Sequence, residues 1–82
     1  MHKESYYKNE KWLLSNKAVN INGIRYLFNF NFTVLELIDY LGFNKNVIVI
    51  DYNGSILEKA NWERTILKTK DSLEILSIAG GG

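Results

Sequence analysis

The chain has 82 residues, of which 46% are hydrophobic, and it contains neither cysteine nor proline. This length allows one compact core, but not a core together with a deep catalytic pocket. Without cysteine there are no disulfides, no thiol catalysis and no cysteine-based metal sites. The chain has a single histidine, His2, which argues against a metal cluster or a catalytic histidine relay. Its net charge of +1 argues against binding to nucleic acid or anionic membranes. We therefore expect one small domain that is not an enzyme by itself and that needs no cofactor.

Residues 1–17 show no sustained hydrophobic periodicity. They lack the apolar core of a signal peptide and the arginine-rich character of a transit peptide. We interpret them as an N-terminal extension that is poorly ordered or loosely helical. The alternative is an aromatic docking motif formed by Tyr6, Tyr7 and Trp12. The longest apolar run, 47–50, is far shorter than the roughly 20 residues of a transmembrane helix, so we expect a soluble protein.

A β-hairpin is predicted directly after the extension. Residues 18–22 alternate between apolar and polar side chains, and Asn22-Gly23 is the pair that a type I′ turn demands. Residues 24–30 follow as the second strand. One face of this strand carries Ile24, Tyr26, Phe28 and Phe30.

A short amphipathic helix is predicted next. Thr33 and Glu36 have the spacing of a capping box, and Gly42 stands where a helix commonly ends on a glycine. The apolar residues between these signals recur at helical spacing. They are Val34, Leu37, Ile38 and Leu41.

The rest of the chain indicates further strands and turns. The β-branched run 47–52 predicts a central strand, and Asn53-Gly54 predicts a second hairpin turn. Trp62, in a turn or a single helical turn over 59–62, is expected to anchor the core. The other predicted segments are a return strand 55–58, a short strand 65–67, a polar loop 68–72 and a last strand 73–78.

This order of elements resembles that of ubiquitin-like β-grasp folds. It predicts an α+β domain with a mixed four- to five-stranded sheet, one helix across it, and the first and last strands parallel at the centre. We divide the chain into the extension 1–17, the β-grasp domain 18–78 and a glycine tail 79–82. The helix is expected to pack on Val19, Ile21, Tyr26, Phe28, Val47, Val49, Leu73 and Ile75.

The three glycines after the last strand carry the predicted chemistry. Gly80, Gly81 and Gly82 have no Cβ, so this tail can thread a channel too narrow for side chains. The α-carboxylate of Gly82, with a pKa near ~3.5, is an anion at neutral pH and must be activated before it reacts. Adenylation by ATP, followed by attack of a sulfur nucleophile, would give a thiocarboxylate or a thioester. A frayed tail or a cloning remnant is the alternative.

Two stretches of the chain resemble the thiamine-biosynthesis sulfur carriers of the ThiS family. They are Asn53-Gly54-Ser55-Ile56, followed by Lys59 and Trp62, and the segment from Leu67-Lys68 and Asp71 through 73–82 to the terminal glycines. The resemblance runs from about Val19 to Gly82. It implies adenylation of Gly82 by an E1-like enzyme (ThiF), conversion to a thiocarboxylate by a persulfide protein, and sulfur delivery to thiazole synthase (ThiG).

Other functions use the same fold and ending. The alternatives are the small subunit of molybdopterin synthase, a ubiquitin-like modifier joined to lysines, and an interaction module whose tail is incidental. Leu76 and Ile78 alternate with Leu73 and Ile75, and we expect them to face away from the helix as a possible partner surface. The wealth of residues with AT-rich codons favours a plastid stroma or a bacterial cytoplasm.

Overall fold

Five strands form one mixed sheet within residues 16–29 and 31–78, the part of the chain that the computed structural model describes. The parallel pair β1 and β5 occupies the centre, and the other neighbours are antiparallel. The spatial order β2-β1-β5-β3-β4, with one helix, confirms the predicted β-grasp fold. The strands are β1 (Lys17–Ile21), β2 (Ile24–Phe28), β3 (Ile48–Tyr52), β4 (Ser55–Ile56) and β5 (Ser72–Ser77).

The helix α1 (Val34–Leu41) begins and ends where the sequence signals predict. The Thr33 hydroxyl accepts a hydrogen bond from the Glu36 backbone N–H at 3.1 Å, and the Thr33 N–H donates to the Glu36 carboxylate at 2.9 Å. Gly42 closes the helix with φ of 81°, a conformation that glycine adopts without strain.

The core lies between α1 and one face of the sheet. Trp62 is buried in the short 3-10 helix Lys59–Arg64, and its indole N–H donates to the Leu57 carbonyl at 3.0 Å. The predicted anchor role of Trp62 is thus confirmed. The buried apolar residues of the described chain are Val19, Ile21, Phe28, Val34, Leu37, Ile38, Ile48, Ile50, Trp62, Leu67, Leu73 and Ile75.

The predicted inward face of β3 is wrong by one residue. Ile48 and Ile50 are buried against the helix, whereas Val49 lies on the opposite face. The run of β-branched residues does not alternate with polar residues, so the sequence does not indicate which side chains face the helix. The pairing with β5, in which Ile50 lies opposite Ile75, determines this. Val47 packs on the core from the 3-10 helix Lys45–Val47.

The strand predicted at 65–67 is also wrong. This segment makes one isolated bridge, between Ile66 and Thr33, and no ladder. Its backbone still brackets the start of the helix, because the Val34 N–H donates to the Thr65 carbonyl and the Leu67 N–H donates to the Phe32 carbonyl, both at 2.8 Å.

Candidate functional site at the end of the last strand

The glycine tail begins directly after a strand end that is held on both sides. Gly80, Gly81 and Gly82 lie outside the described residues. The last described residue, Ile78, donates its N–H to the Val47 carbonyl at 2.7 Å, so the hydrogen bonding of the described chain continues one residue past β5. The chain that leads into the tail therefore starts from a fixed position on the domain.

The sheet face opposite the helix presents an apolar surface beside this strand end. Leu76 is 48% exposed and Ile78 is 43% exposed, and Val49 lies directly opposite Leu76 in the ladder. Ile56 belongs to the same side, because it pairs with the outward-facing Asp51 of β3. Leu27 also faces this side, but it pairs with Ala18 near the start of β1, away from the strand end. We call the apolar surface beside the strand end the open face, defined by Val49, Ile56, Leu76 and Ile78. An exposed apolar patch of this kind is typical of a protein-binding surface.

The turn residue Asn22 continues the central ladder after β1 has ended. The β1–β5 pairing stops at Ile21 and Leu73, and the Asn22 backbone N–H then donates to the Leu73 carbonyl at 2.9 Å. Its side-chain oxygen accepts from the Ile75 N–H at 2.6 Å, and its side-chain nitrogen donates to the Ile75 carbonyl at 3.4 Å. One carboxamide thus occupies both backbone groups of Ile75.

Asn53, in the second hairpin turn, holds the other end of β5 in the same way. Its backbone N–H donates to the Ser72 carbonyl at 2.8 Å, and its side-chain oxygen accepts from the Ser72 N–H at 2.7 Å. The sequence reasoning treated both asparagines as turn formers only. The signal that could have revealed more is the choice of Asn in both turns, because a carboxamide both donates and accepts.

Asp71 ties the loop before β5 to the second hairpin. Its carboxylate, in a residue only 5% exposed, accepts hydrogen bonds from the Tyr52 hydroxyl at 2.6 Å, the Lys68 N–H at 2.8 Å and the Asn53 amide at 3.1 Å. Burial alone would raise the pKa of Asp71, but these hydrogen bonds hold it below the ordinary value. Burial, reinforced by the hydrogen bond to Asp71 and by its charge, raises the pKa of Tyr52 to about 12. The prediction of a plain polar loop at 68–72 missed this network.

Replacing Asn22 with glycine is expected to destabilise the domain by about 1–2 kcal/mol, because the backbone groups of Ile75 lose their partners. Asn22 has φ of 53°, so glycine adds no backbone strain. Lys70→Gly is the matched control, since Lys70 is exposed with φ of 76° and donates to Ala18 only through its backbone. Urea unfolding measures both variants. Equal effects of the two substitutions would contradict the role given to the Asn22 side chain.

Other kinds of site are not apparent in the described part of the chain. Residues 16–29 and 31–78 contain no group of three His, Cys, Asp or Glu side chains that could hold a metal ion. None of their helices is long and apolar enough to cross a bilayer. A depression of about 360 Å³ is lined by Ala18, Asn20, Arg25, Thr69 and Lys70. It lies toward the start of β1, away from the strand end that carries the tail.

Comparison with known proteins points to one family. The model of the ThiS family matches residues 19–82. The ycf40 protein of Trieres chinensis is 36% identical over 66 residues, which cover 80% of this chain and 90% of the relative. The ycf40 protein of Pyropia yezoensis is 31% identical over 68 residues, which cover 83% and 96% of the two chains.

A solved structure supports the same conclusion. The crystal structure of the thiamine biosynthesis protein ThiS from Geobacter metallireducens is 26% identical to this chain, with a TM-score of 0.69. The match covers 79% of this chain and 99% of that protein. Nearly the whole of the bacterial protein therefore corresponds to the β-grasp part of this one.

Proposed function

The chain belongs to the ThiS family, and from this premise we propose that its C-terminal Gly82 carries sulfur as a thiocarboxylate for thiazole formation in thiamine biosynthesis. Family membership supports a role as a small sulfur carrier rather than an enzyme. The observation that carries the finer proposal is the extent of the family match, which runs through the three glycines to residue 82.

The proposed chemistry takes place on the main chain and needs partner enzymes. An E1-like enzyme of the ThiF type joins the Gly82 carboxylate to AMP and releases pyrophosphate from ATP. The terminal sulfur of a persulfide protein then attacks the activated carbonyl and displaces AMP. Cleavage of the resulting sulfur–sulfur bond by a thiol leaves the thiocarboxylate and a disulfide. A thiazole synthase of the ThiG type takes the sulfur.

The domain's own contribution is to present the tail in a defined place. The hydrogen bond from Ile78 to Val47 and the two bonds between Asn22 and Ile75 hold the strand end on opposite sides. A partner that binds the domain then meets the tail at a constant starting point, which lowers the entropy cost of guiding it into an active site. We accordingly propose a division into an extension that ends before β1, a β-grasp domain that begins at Lys17 and runs to residue 78, and a reactive tail 79–82, with Gly80 and Gly81 as the threading segment.

The open face is the proposed contact for the activating enzyme. We expect Leu76→Asp or Ile78→Asp to weaken binding to a ThiF-type enzyme by roughly tenfold, about 1.4 kcal/mol, because a charge would replace an apolar contact next to the tail. Ile66→Asp is the matched control, since Ile66 is 51% exposed and bridges Thr33 on the helix side. Titration calorimetry measures all three variants. Equal affinities would place the contact elsewhere.

Intact-mass spectrometry tests the proposed function directly. The full chain is incubated with ATP, a ThiF-type enzyme and a persulfide donor. A species heavier by the exchange of one oxygen for sulfur is expected, and thiazole synthase should consume it. A ladder of lysine conjugates would support a protein modifier instead, and sulfur transfer only to a molybdopterin precursor would change the pathway. An unchanged mass would refute the carrier proposal.

We further propose that the protein acts in the plastid stroma. Its richness in residues with AT-rich codons supports this location, as does its likeness to ycf40 proteins of algae. Immunolocalisation in the source organism, or recovery of the protein from purified plastids, would test the assignment.

A further inference from the structure

The depression at the start of β1 forms where the last strand stops accompanying the first. β1 pairs with β5 only through Asn20 and Ile21, so the start of β1 has no partner in β5. The loop before β5 takes that place. The Lys70 N–H donates to the Ala18 carbonyl at 2.7 Å, and the Ala18 N–H donates to the Thr69 hydroxyl at 3.0 Å. These bonds hold the backbone of the loop against β1.

Two cationic side chains border the depression from opposite sides of β1. Arg25 stands on β2 directly opposite Asn20, and Lys70 stands in the loop on the other side. Neighbouring strands are spaced by about 4.8 Å, so the two backbones lie roughly 10–12 Å apart, a gap that two long side chains can close. The small side chain of Ala18 lies between them and leaves the space of about 360 Å³ open.

The charges at this depression are not neutralised by the described part of the chain. Within residues 16–29 and 31–78, neither Arg25 nor Lys70 forms a salt bridge. None of the five lining residues is acidic, so Arg25 and Lys70 give the depression a formal charge of +2. The carboxylate of the next residue, Asp71, is turned away into its buried network with Tyr52. The depression therefore favours an anion.

The lining residues also supply donors that suit a phosphate group. The guanidinium fork of Arg25 matches phosphate oxygens, and the ammonium of Lys70 adds a point charge. The Thr69 hydroxyl accepts from Ala18 and keeps its own hydrogen to donate. Asn20 is exposed, and its carboxamide nitrogen carries two further hydrogens. A phosphate monoester presents three acceptor oxygens and nearly two negative charges at neutral pH, which matches this set better than a carboxylate does.

The backbone at position 70 supports a role for the lysine side chain. Lys70 has φ of 76°, a conformation that glycine adopts without strain and that lysine rarely adopts. A glycine would therefore serve the loop better, yet the position carries the second cation of the depression. Strain of this kind is concentrated at functional sites.

We propose that the depression binds the phosphate group of a small phosphorylated molecule. Arg25 and Lys70 hold the phosphate from either side, with Thr69 and Asn20 as additional donors. The space of about 360 Å³ exceeds that of a phosphate group and is typical of small-molecule sites, so it also takes part of the molecule that carries the phosphate. Since the depression lies away from the strand end before the glycine tail, the ligand leaves the tail free.

An NMR titration of the ¹⁵N-labelled full-length protein with ribose 5-phosphate tests the proposal. Ribose, which lacks the phosphate, and acetate, a carboxylate, are the matched reference compounds at constant ionic strength. Ribose 5-phosphate is expected to cause saturable shifts at the backbone amides of Ala18, Asn20, Arg25, Thr69 and Lys70. Ribose should cause none. The measurement needs no partner enzyme, so its outcome is independent of the proposed sulfur transfer.

Charge-neutral variants identify the residues that bind. Arg25→Gln and Lys70→Gln should each weaken binding about tenfold, because each removes a charge-assisted hydrogen bond. Lys68→Gln is the matched control, since it removes the same charge from an exposed position in the same loop but outside the depression, and it should leave the affinity unchanged. All three side chains are exposed, so the variants should retain the fold, as the spectra of the free proteins will show.

Three results would overturn the proposal. The first is the absence of saturable shifts with ribose 5-phosphate. The second is an equal loss of affinity in Lys68→Gln, which would reduce the binding to general attraction by the basic residues. The third is equal binding of acetate, which would contradict the choice of a phosphate.

Discussion

Deletion of Gly82 is expected to abolish sulfur loading completely while leaving the free energy of unfolding unchanged. In the proposed mechanism the deletion moves the carboxylate that is adenylated back by one residue, so it would no longer reach the ATP-binding centre of the activating enzyme. Under the proposed threading role of Gly81, Gly81→Leu is expected to have the same effect, because a branched side chain would not pass through a channel too narrow for side chains. Intact-mass analysis after incubation with ATP, the activating enzyme and a persulfide donor measures the loss.

Two measurements separate loss of loading from loss of folding. Urea unfolding of both variants should match the parent chain, since the core of the described residues is built from positions at or before Ile75. Gly81→Ala is an intermediate control. It should still be loaded with sulfur, but more slowly, because a single methyl group makes the tail only slightly wider. Full loading of the Gly82 deletion would contradict the need for a carboxylate at residue 82, and full loading of Gly81→Leu would contradict the threading role of Gly81.

Asp71→Ala is expected to lower the free energy of unfolding by about 3 kcal/mol, because three donors lose a charged acceptor in a buried position. The donors are the Tyr52 hydroxyl, the Lys68 N–H and the Asn53 amide. This is a large fraction of the total stability of a small domain. Urea unfolding measures the change. Glu74→Ala, at an exposed position on β5, is the control, and its free energy of unfolding should stay within about 0.5 kcal/mol of the parent value.

The Asp71 network also predicts how stability depends on pH. The pKa of Asp71 is lowered in the folded state, so its stabilising contribution is present above the pKa of the unfolded chain and is lost as the pH falls through the folded value. The pKa of Tyr52 is raised to about 12, so its contribution is present up to about pH 10 and is lost as the pH rises through 12.

Tyr52→Phe separates the two limbs of this profile. It should remove the loss of stability at high pH that is due to Tyr52. It should also reduce the loss of stability at low pH, because one of the hydrogen bonds that lower the pKa of Asp71 is gone. Unfolding free energies measured across the pH range provide the test. An alkaline limb that persists in Tyr52→Phe would assign it to another group.

The elements that depend on near neighbours were predictable from the sequence. Asn22-Gly23 and Asn53-Gly54 turn the chain with positive φ at all four residues. The capping box from Thr33 to Glu36 starts the helix at the expected residue. Each of these signals acts over at most three or four residues, so the local sequence contains both partners of the interaction. The tail could likewise be singled out, because three terminal glycines need no tertiary context to be noticed.

Only the tertiary structure shows which groups that are distant in the sequence come into contact in the fold. The amide of Asn22 reaches Ile75 across 53 residues, and Asp71 receives the Tyr52 hydroxyl across 19. Which residues of β3 face the helix likewise depends on the pairing of β3 with β5, since an unbroken β-branched run favours neither face. The sequence by itself predicted the order of the β-grasp elements, the ThiS family, and a stretch of three glycines after the last strand. The packing decided how the strand before that tail is held.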